Sequence, residues 1–188
     1  MDEPDIKEFS THWHITKKVL ENNRIRKIIE QGSGYYSSGL FYDRKISTTT
    51  IEEMHEGWYQ TVKNRYPRLN VLFMPSRGEF IKYLKRHKTD LLFVDGSEFA
   101  RSLAVQEGFR QAKIIIAHDT EALVYRWDRI KLPKGWVWVD IEQWDPWTAV
   151  ITNMRNIKKN SWIRNYKHTI YTDIRNKKYL LKNVRNDI

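Results

Sequence analysis

Five short strand-like runs, each separated from the next by an amphipathic stretch, limit what this chain can form more than any other feature. The runs fall at residues 24–29, 46–51, 69–74, 90–94 and 113–117. Helical patterns lie between them at about 38–43, 55–66, 78–87 and 98–111, and one more precedes the first run at 12–21. Strands that alternate with helices build βαβ units, and these give a parallel sheet with helices on both faces. After the fifth run the rhythm changes. Residues 135–144 alternate Trp136, Trp138 and Asp140 against Val137, Val139 and Ile141, and a second strand follows at 147–154. The turn pair Asp145-Pro146 joins them, so an antiparallel hairpin is expected. Five parallel strands and a closing hairpin describe a Rossmann-like α/β sheet of seven strands. A further short strand fits at 169–172 or at 178–184.

The 188 residues suit one domain with a full core, and 40% hydrophobic content belongs to a folded chain. No apolar run approaches the roughly 18–20 residues that span a bilayer. The first ten residues are acidic and polar, unlike a secretory leader. A cytoplasmic setting is therefore expected, the host cytoplasm for a viral chain. The sequence contains no cysteine, which excludes disulfides, thiolate catalysis and cysteine-based zinc sites. Net charge is +10, and ten of the basic residues lie from Ile151 onward against only Asp173 and Asp187. Residues 1–154 are expected to form the ligand-binding domain, with 155–188 a basic extension packed on it or trailing from it. Such an end attracts nucleic acid, anionic glycans or an acidic partner, or serves only as a solvated face.

The chemistry-bearing residues sit where the strands end. The first strand runs into Glu30-Gln31-Gly32-Ser33-Gly34-Tyr35-Tyr36-Ser37. Glycines let a backbone turn sharply and approach a ligand, and the helix that follows offers its first amides to an anion. The second strand ends at Glu52-Glu53, about 20 residues beyond Gly32, where an acid in nucleoside-binding folds accepts the ribose hydroxyls. Glu52 is the first choice and Glu53 the alternative by a one-residue shift. Ser37 stands where a dinucleotide fingerprint would carry its third glycine, which argues against a pyrophosphate cofactor. The third strand leads to Ser76 and Arg77, with Ser76 either capping the next helix or touching a base. The fourth ends at Asp95-Gly96, a carboxylate directly after four apolar residues and costly to bury without a purpose. The fifth ends at His118-Asp119-Thr120. Two carboxylates and an imidazole thus converge on one rim.

These residues resemble the class I S-adenosylmethionine-dependent methyltransferases, over the span 30–121. More narrowly, the chain is similar to a group with a Glu-x-Gly-x-Gly-x-x-Ser loop, a Val-Asp-Gly fourth strand and a His-Asp-Thr-Glu fifth strand. That group includes sugar O-methyltransferases, among them the rhamnose-modifying domain of a large-virus glycan enzyme. The resemblance implies that Gly32, Ser33 and Gly34 line the methionine part of S-adenosyl-L-methionine, with Glu30, Tyr35 and Ser37 in the same loop. It implies that Glu52 holds the ribose, that Ser76 and Arg77 flank the adenine, and that Asp95 and Gly96 lie near the methionine or the acceptor. S-adenosyl-L-homocysteine would be the product. In metal-dependent relatives, carboxylates at the ends of the fourth and fifth strands bind Mg²⁺. Asp95 and Asp119 occupy those places, but Thr120 stands where the usual asparagine would follow.

Methyl transfer to a hydroxyl needs alignment and removal of a proton, by a base or by a cation. His118 or Asp119 is the expected base, and Mg²⁺ on Asp95 and Asp119 is the alternative. His12 and His14 precede the first strand and are candidates to border the acceptor. Trp144 and Trp147, nearest the hairpin turn, are expected to be the exposed tryptophans and to stack on a sugar or base. A sugar or glycan hydroxyl is the first acceptor. A nucleic acid held by the basic end is the second, although no Asn/Asp-Pro-Pro-Tyr/Phe motif is present. A non-catalytic nucleoside-binding module is a third reading. The chain could also be one domain of a larger multifunctional protein.

Overall fold

The computed structural model describes residues 11–177. Its elements run α1 (Thr11–Asn22), β1 (Lys27–Gln31), α2 (Ser37–Asp43), β2 (Ser47–Glu52), α3 (Glu56–Arg65), β3 (Asn70–Phe73), α4 (Arg77–Arg86), β4 (Leu91–Val94), α5 (Glu98–Gln111), β5 (Ile114–His118), β6 (Trp136–Ile141), β7 (Thr148–Asn153), α6 (Met154–Lys159) and β8 (His168–Tyr171). They form one sheet in the order β3-β2-β1-β4-β5-β7-β6-β8. The first five strands are parallel, and β7, β6 and β8 each run antiparallel to the strand before them in that order.

The expected α/β sheet is present, with one correction. It has eight strands rather than seven, because β8 pairs with β6 at the stretch anticipated near 169–172. The other candidate strand, at 178–184, lies outside the described residues. β1 also starts later than the pattern suggests and continues through Gln31, up to Gly32 at φ +81°.

Strands β4 and β5 read as unbroken apolar runs because both of their faces are covered. On one face Ile29, Leu92, Val94, Ile115 and Ala117 pack with Phe80 and Leu84 of α4 and with Ala104 and Val105 of α5. On the other, Ile28, Leu91, Phe93, Ile114 and Ile116 pack with Ile15 and Val19 of α1 and Phe41 of α2. The hairpin is covered on both faces too. Trp138 belongs to the first core, while Val137 and Val139 belong to the second.

The parallel register brings the carboxyl ends of the strands level. Gln31 of β1 stands beside Val94 of β4, and Val94 beside Ala117 of β5. Gly32, Asp95 and His118 are therefore neighbours along one edge. Strand order reverses between β1 and β4, because β1 is followed outward by β2 and β3 on one side and β4 by β5 on the other. The connections leave that point in opposite directions and open a crevice, where open α/β sheets bind ligands. A cavity of about 410 Å³ at the opposite, amino edge is lined by Lys27, Lys88, Asp90, Arg110 and Lys113 among others. It is remote from these strand ends. Among the described residues no helix is long and apolar enough to cross a membrane.

The hairpin is tied down by a buried ion pair. Asp140 is fully buried and accepts bonds from Thr120 Oγ1 and Trp138 Nε1, both at 2.7 Å, and from the Lys177 ammonium. Removing one partner of such a pair strands the other charge. Asp140→Ala should lower the unfolding free energy by about 3–5 kcal/mol, read from urea denaturation. A loss well under 1 kcal/mol would show that the pair is not holding the hairpin.

Candidate functional site

The glycine loop and the β4 exit approach more closely than side chains would allow. A Cβ on Gly32 would lie 2.4 Å from the Asp95 carbonyl oxygen, and one on Gly96 would lie 2.2 Å from Glu53 Oε2. The positive φ of Gly32 adds a backbone reason for glycine there. The two acids after β2 have separate tasks. Glu52 stitches its own surroundings: Oε2 accepts from Ser33 Oγ at 2.6 Å, and Oε1 from the Met54 and His55 amides at 3.1 and 3.3 Å. Glu53 Oε2 accepts from Gln31 Nε2 at 2.9 Å and from the Ser97 amide at 3.0 Å. The Oε1 atoms of Glu53 and Gln31 are buried and have no hydrogen-bond partner. Both atoms are closed to solvent beside the Gly32–Gly96 contact, so two buried acceptors there lack donors.

Glu30 lies wholly inside, under the loop. Its Oε2 accepts from Ser38 Oγ at 2.8 Å and Thr50 Oγ1 at 2.6 Å, and burial pushes its pKa up to about 7 against help from the nearby hydroxyls, Ser37 included. It supports the loop from beneath. Tyr35 is half-exposed, set edge-on to Trp58 and beneath the Arg65 guanidinium, while Trp58 Nε1 donates to the Ser33 carbonyl at 2.9 Å. Trp58 carried no signal in the sequence beyond its place on a helix.

At the ends of β4 and β5 lies a compact charge cluster. Asp95 Oδ1 is 3.2 Å from His118 Nδ1 and 3.0 Å from Arg101 Nη2. Asp119 Oδ2 accepts from Arg101 Nη1 at 2.7 Å and from the Tyr125 hydroxyl at 3.2 Å. His118 Nε2 is 2.9 Å from Thr11 Oγ1. Asp119 has φ +56°, a left-handed conformation that aspartate tolerates better than most residues. Burial opposes ionisation of Asp95, but His118 and Arg101 outweigh it and hold its pKa well below the usual carboxylate range. Burial likewise opposes a charge on His118, yet Asp95 and Asp119 prevail and raise its pKa. His12 lies 4.7 Å from His118, ring to ring. Burial first, and the neighbouring imidazole second, drive it down to about 3, so it is neutral.

The structure thus brings Asp95, His118, Asp119 and His12 together, and joins to them three residues the sequence reading missed: Arg101, Tyr125 and Thr11. Arg101 left one trace. It lies in the first turns of α5, where the helix dipole disfavours a cation unless carboxylates hold it. The set does not fit Mg²⁺, which wants near-octahedral oxygen ligands. Asp95 and Asp119 share a guanidinium, and the group of possible ligands within 4.8 Å is His12, Asp95 and His118, with two imidazoles. Other expectations need correction. Ser76 occupies the N-cap position of α4, but its hydroxyl makes no capping bond. Ser76 and Arg77 are exposed at the rim. Trp144 and Trp147 are half-buried rather than exposed: Trp144 stacks on His14 at 5.2 Å, and the Trp147 ring lies 5.6 Å from the Lys177 ammonium.

The buried Glu30 makes stability depend on pH. The folded chain keeps its proton up to about pH 7, while an unfolded chain releases it near the ordinary 4.5. This contribution is complete below the lower value and is lost as pH rises through the upper one. The loss is on the order of 3 kcal/mol. Glu30→Gln should remove it, so the stability gap between wild type and variant should close or reverse by that amount across the window. Parallel stability curves for the two proteins would contradict the assignment.

No family model matches the chain, and no curated protein matches it. Solved structures do. A proposed caffeoyl-CoA O-methyltransferase from Staphylococcus aureus superposes with a TM-score of 0.62 at 18% identity, over 80% of this chain and 85% of that one. A proposed O-methyltransferase from Klebsiella pneumoniae gives 0.61 at 12%, over 79% and 81%. The N-methyltransferase NodS from Bradyrhizobium japonicum, in complex with S-adenosyl-L-homocysteine, gives 0.53 at 12%, over 76% and 85%. At these identities the likeness is one of architecture: the chain has the Rossmann-like α/β fold of the methyltransferases.

Proposed function

We propose that the chain is an S-adenosylmethionine-dependent O-methyltransferase acting on a hydroxyl, that of a sugar being the first candidate. The observation that carries this is the crevice at the β1/β4 reversal, with its two-way glycine contact; the unmet acceptors of Gln31 and Glu53 are buried beside it. The fold shared with methyltransferases supports the donor. The sequence resemblance to sugar-modifying enzymes supports the acceptor, as does the half-buried Trp144, packed on His14 of α1, a ring of the kind that lies against sugars. Lys27, Lys88, Arg110 and Lys113 cluster at the other edge of the sheet, which disfavours a nucleic acid spanning both them and the strand ends.

S-adenosylmethionine supplies a methyl group already activated on a sulfonium, so the chain's own task is to align partners and move one proton. Gly32 and Gly96 keep the crevice open to a close backbone approach. Glu53 keeps an unpartnered Oε1 and is our first choice for the ribose hydroxyls, since both oxygens of Glu52 are engaged, by Ser33 of the glycine loop and by the Met54 and His55 amides. His118 is the base. Asp95 fixes Nδ1 and leaves Nε2 to face a hydroxyl, the arrangement in which a carboxylate orients a catalytic imidazole. Thr11 Oγ1 is 2.9 Å from Nε2, and an acceptor hydroxyl would have to take its place.

Calorimetry with S-adenosyl-L-homocysteine should find one site per chain. Glu53→Gln should weaken it by about 10-fold or more, the worth of a charged hydrogen bond, and Glu52→Gln by less. No uptake by folded wild-type protein would end the proposal. With a sugar acceptor, His118→Ala should lower kcat by about 10²–10⁴. A base must be unprotonated, and although burial and Arg101 oppose a charge on it, Asp95 and Asp119 leave the His118 pKa above the ordinary 6.5. The rate should therefore rise with pH through a value above 6.5, and Asp95→Asn should move that rise toward acid. A profile that Asp95→Asn leaves in place would exclude His118 as the base.

A further inference from the structure

The strand-end carboxylates already hold a cation, and it is covalently part of the chain. Arg101 Nη2 meets Asp95 Oδ1 at 3.0 Å, and Nη1 meets Asp119 Oδ2 at 2.7 Å. Its remaining bonds are structural: Nε donates to the Gly96 carbonyl at 2.7 Å, and Nη1 also to the His118 carbonyl at 3.2 Å. The guanidinium lies 4.1 Å from the Tyr125 ring, and the side chain is 9% exposed. Every nitrogen of the fork is engaged, and the anchors come from both strand exits.

We propose that the Arg101 guanidinium is the resident cation of this carboxylate pair, filling the place a divalent ion would need, and that the site works without a metal. The inference rests on the methyltransferase reading for its last clause only. Its first clause concerns charge and geometry. A divalent ion placed between Asp95 and Asp119 would have to displace a bonded guanidinium or sit against its positive charge. The four protein bonds hold the guanidinium where it is, since moving it would strip the Gly96 and His118 carbonyls of a donor. A planar fork also does what a spherical ion does not: it holds one oxygen of each carboxylate from a separate nitrogen, and the Asp95 oxygen it holds, Oδ1, is the one that meets His118 Nδ1. Arg101 thereby acts as a positioning residue, because it sets the carboxylate that orients the imidazole.

The test uses the full chain and needs no acceptor. Mn²⁺ serves as the probe, because its free-ion electron paramagnetic resonance signal falls when it binds. Wild-type protein should leave the signal unchanged. Arg101→Gln frees two facing carboxylates and should take up one Mn²⁺ per chain, an uptake that a further Asp119→Asn change abolishes. Arg101→Lys keeps the charge and should exclude the ion as wild type does. Uptake by wild type that Asp119→Asn removes would overturn the proposal, as would Co²⁺ uptake by wild type that His12→Ala removes. Folded Arg101→Gln that refuses Mn²⁺ would also overturn it, because the carboxylates would then not be a pair held apart from metal by the guanidinium. Should that variant fail to fold by circular dichroism, the wild-type and Arg101→Lys titrations decide alone: no uptake upholds the proposal and uptake refutes it. S-adenosyl-L-homocysteine affinity, measured with and without chelator, separates the two levels. Chelator should change it less than 2-fold. Complete failure to bind the nucleoside sinks the functional reading, while the Mn²⁺ result still judges Arg101.

Discussion

Charge neutrality governs the ends of β4 and β5. Two carboxylates enter a space that also holds two imidazoles, and isolated charges there would be costly. The guanidinium of Arg101 bonds one oxygen of each carboxylate, and although burial opposes it, the same two carboxylates raise the pKa of His118. His12 stays neutral, chiefly because it is buried and next because His118 lies beside it. The arrangement is a closed network rather than a row of independent side chains. Changing any one member alters the protonation of the others, so effects of paired substitutions here will not add.

The network has its counterpart on the other side of the strand-order reversal, where closeness rather than charge is the constraint. Gly32 and Gly96 belong to loops leaving β1 and β4, and each touches groups of its neighbour at distances a Cβ would forbid. Glu53 and Gln31 are pinned between those loops, each with one bonded and one unpartnered side-chain position. Tight backbone packing therefore leaves hydrogen-bond acceptors buried and unmet beside the crevice. The left-handed turn at Asp119 does comparable work at β5, aiming its carboxylate toward α5 while His118 faces α1.

The parts of the fold legible in the sequence were those enforced by burial on both faces. Residues 91–94 and 114–117 are apolar without interruption, and only a covered parallel strand needs that. The Gly32 turn was legible because few residues accept its φ, and the rim positions of Asp95, His118 and Asp119 followed from where the strands must stop. What stayed hidden depends on contacts across the chain. Arg101 pairs with Asp119 over eighteen positions, and Thr11 meets His118 over more than a hundred. Periodicity carries no record of such pairings. The hairpin misled for a related reason. Nearness to the turn suggests that Trp144 and Trp147 are exposed, but Trp144 stacks on His14 and Trp147 lies beside the Lys177 ammonium.

The basic stretch after residue 154 also takes on a structural meaning. Lys177 reaches Asp140 in the hairpin, and the other oxygen of Asp140 accepts from Thr120, the residue after Asp119. The Thr120 amide donates to the Trp147 carbonyl, and Glu121 accepts from the Trp147 amide. A chain of bonds thus runs from Lys177 through β6 and the β7 entrance to the turn that presents Asp119. β8 adds a ladder to the same strand. The left-handed backbone of Asp119 costs any residue but glycine something, aspartate less than most, and such a conformation persists where its surroundings over-determine it. The surroundings here are the hairpin, β8 and one buried lysine. Part of what looks in the sequence like a solvated, positively charged end is therefore the clamp that keeps the Asp119 turn in shape.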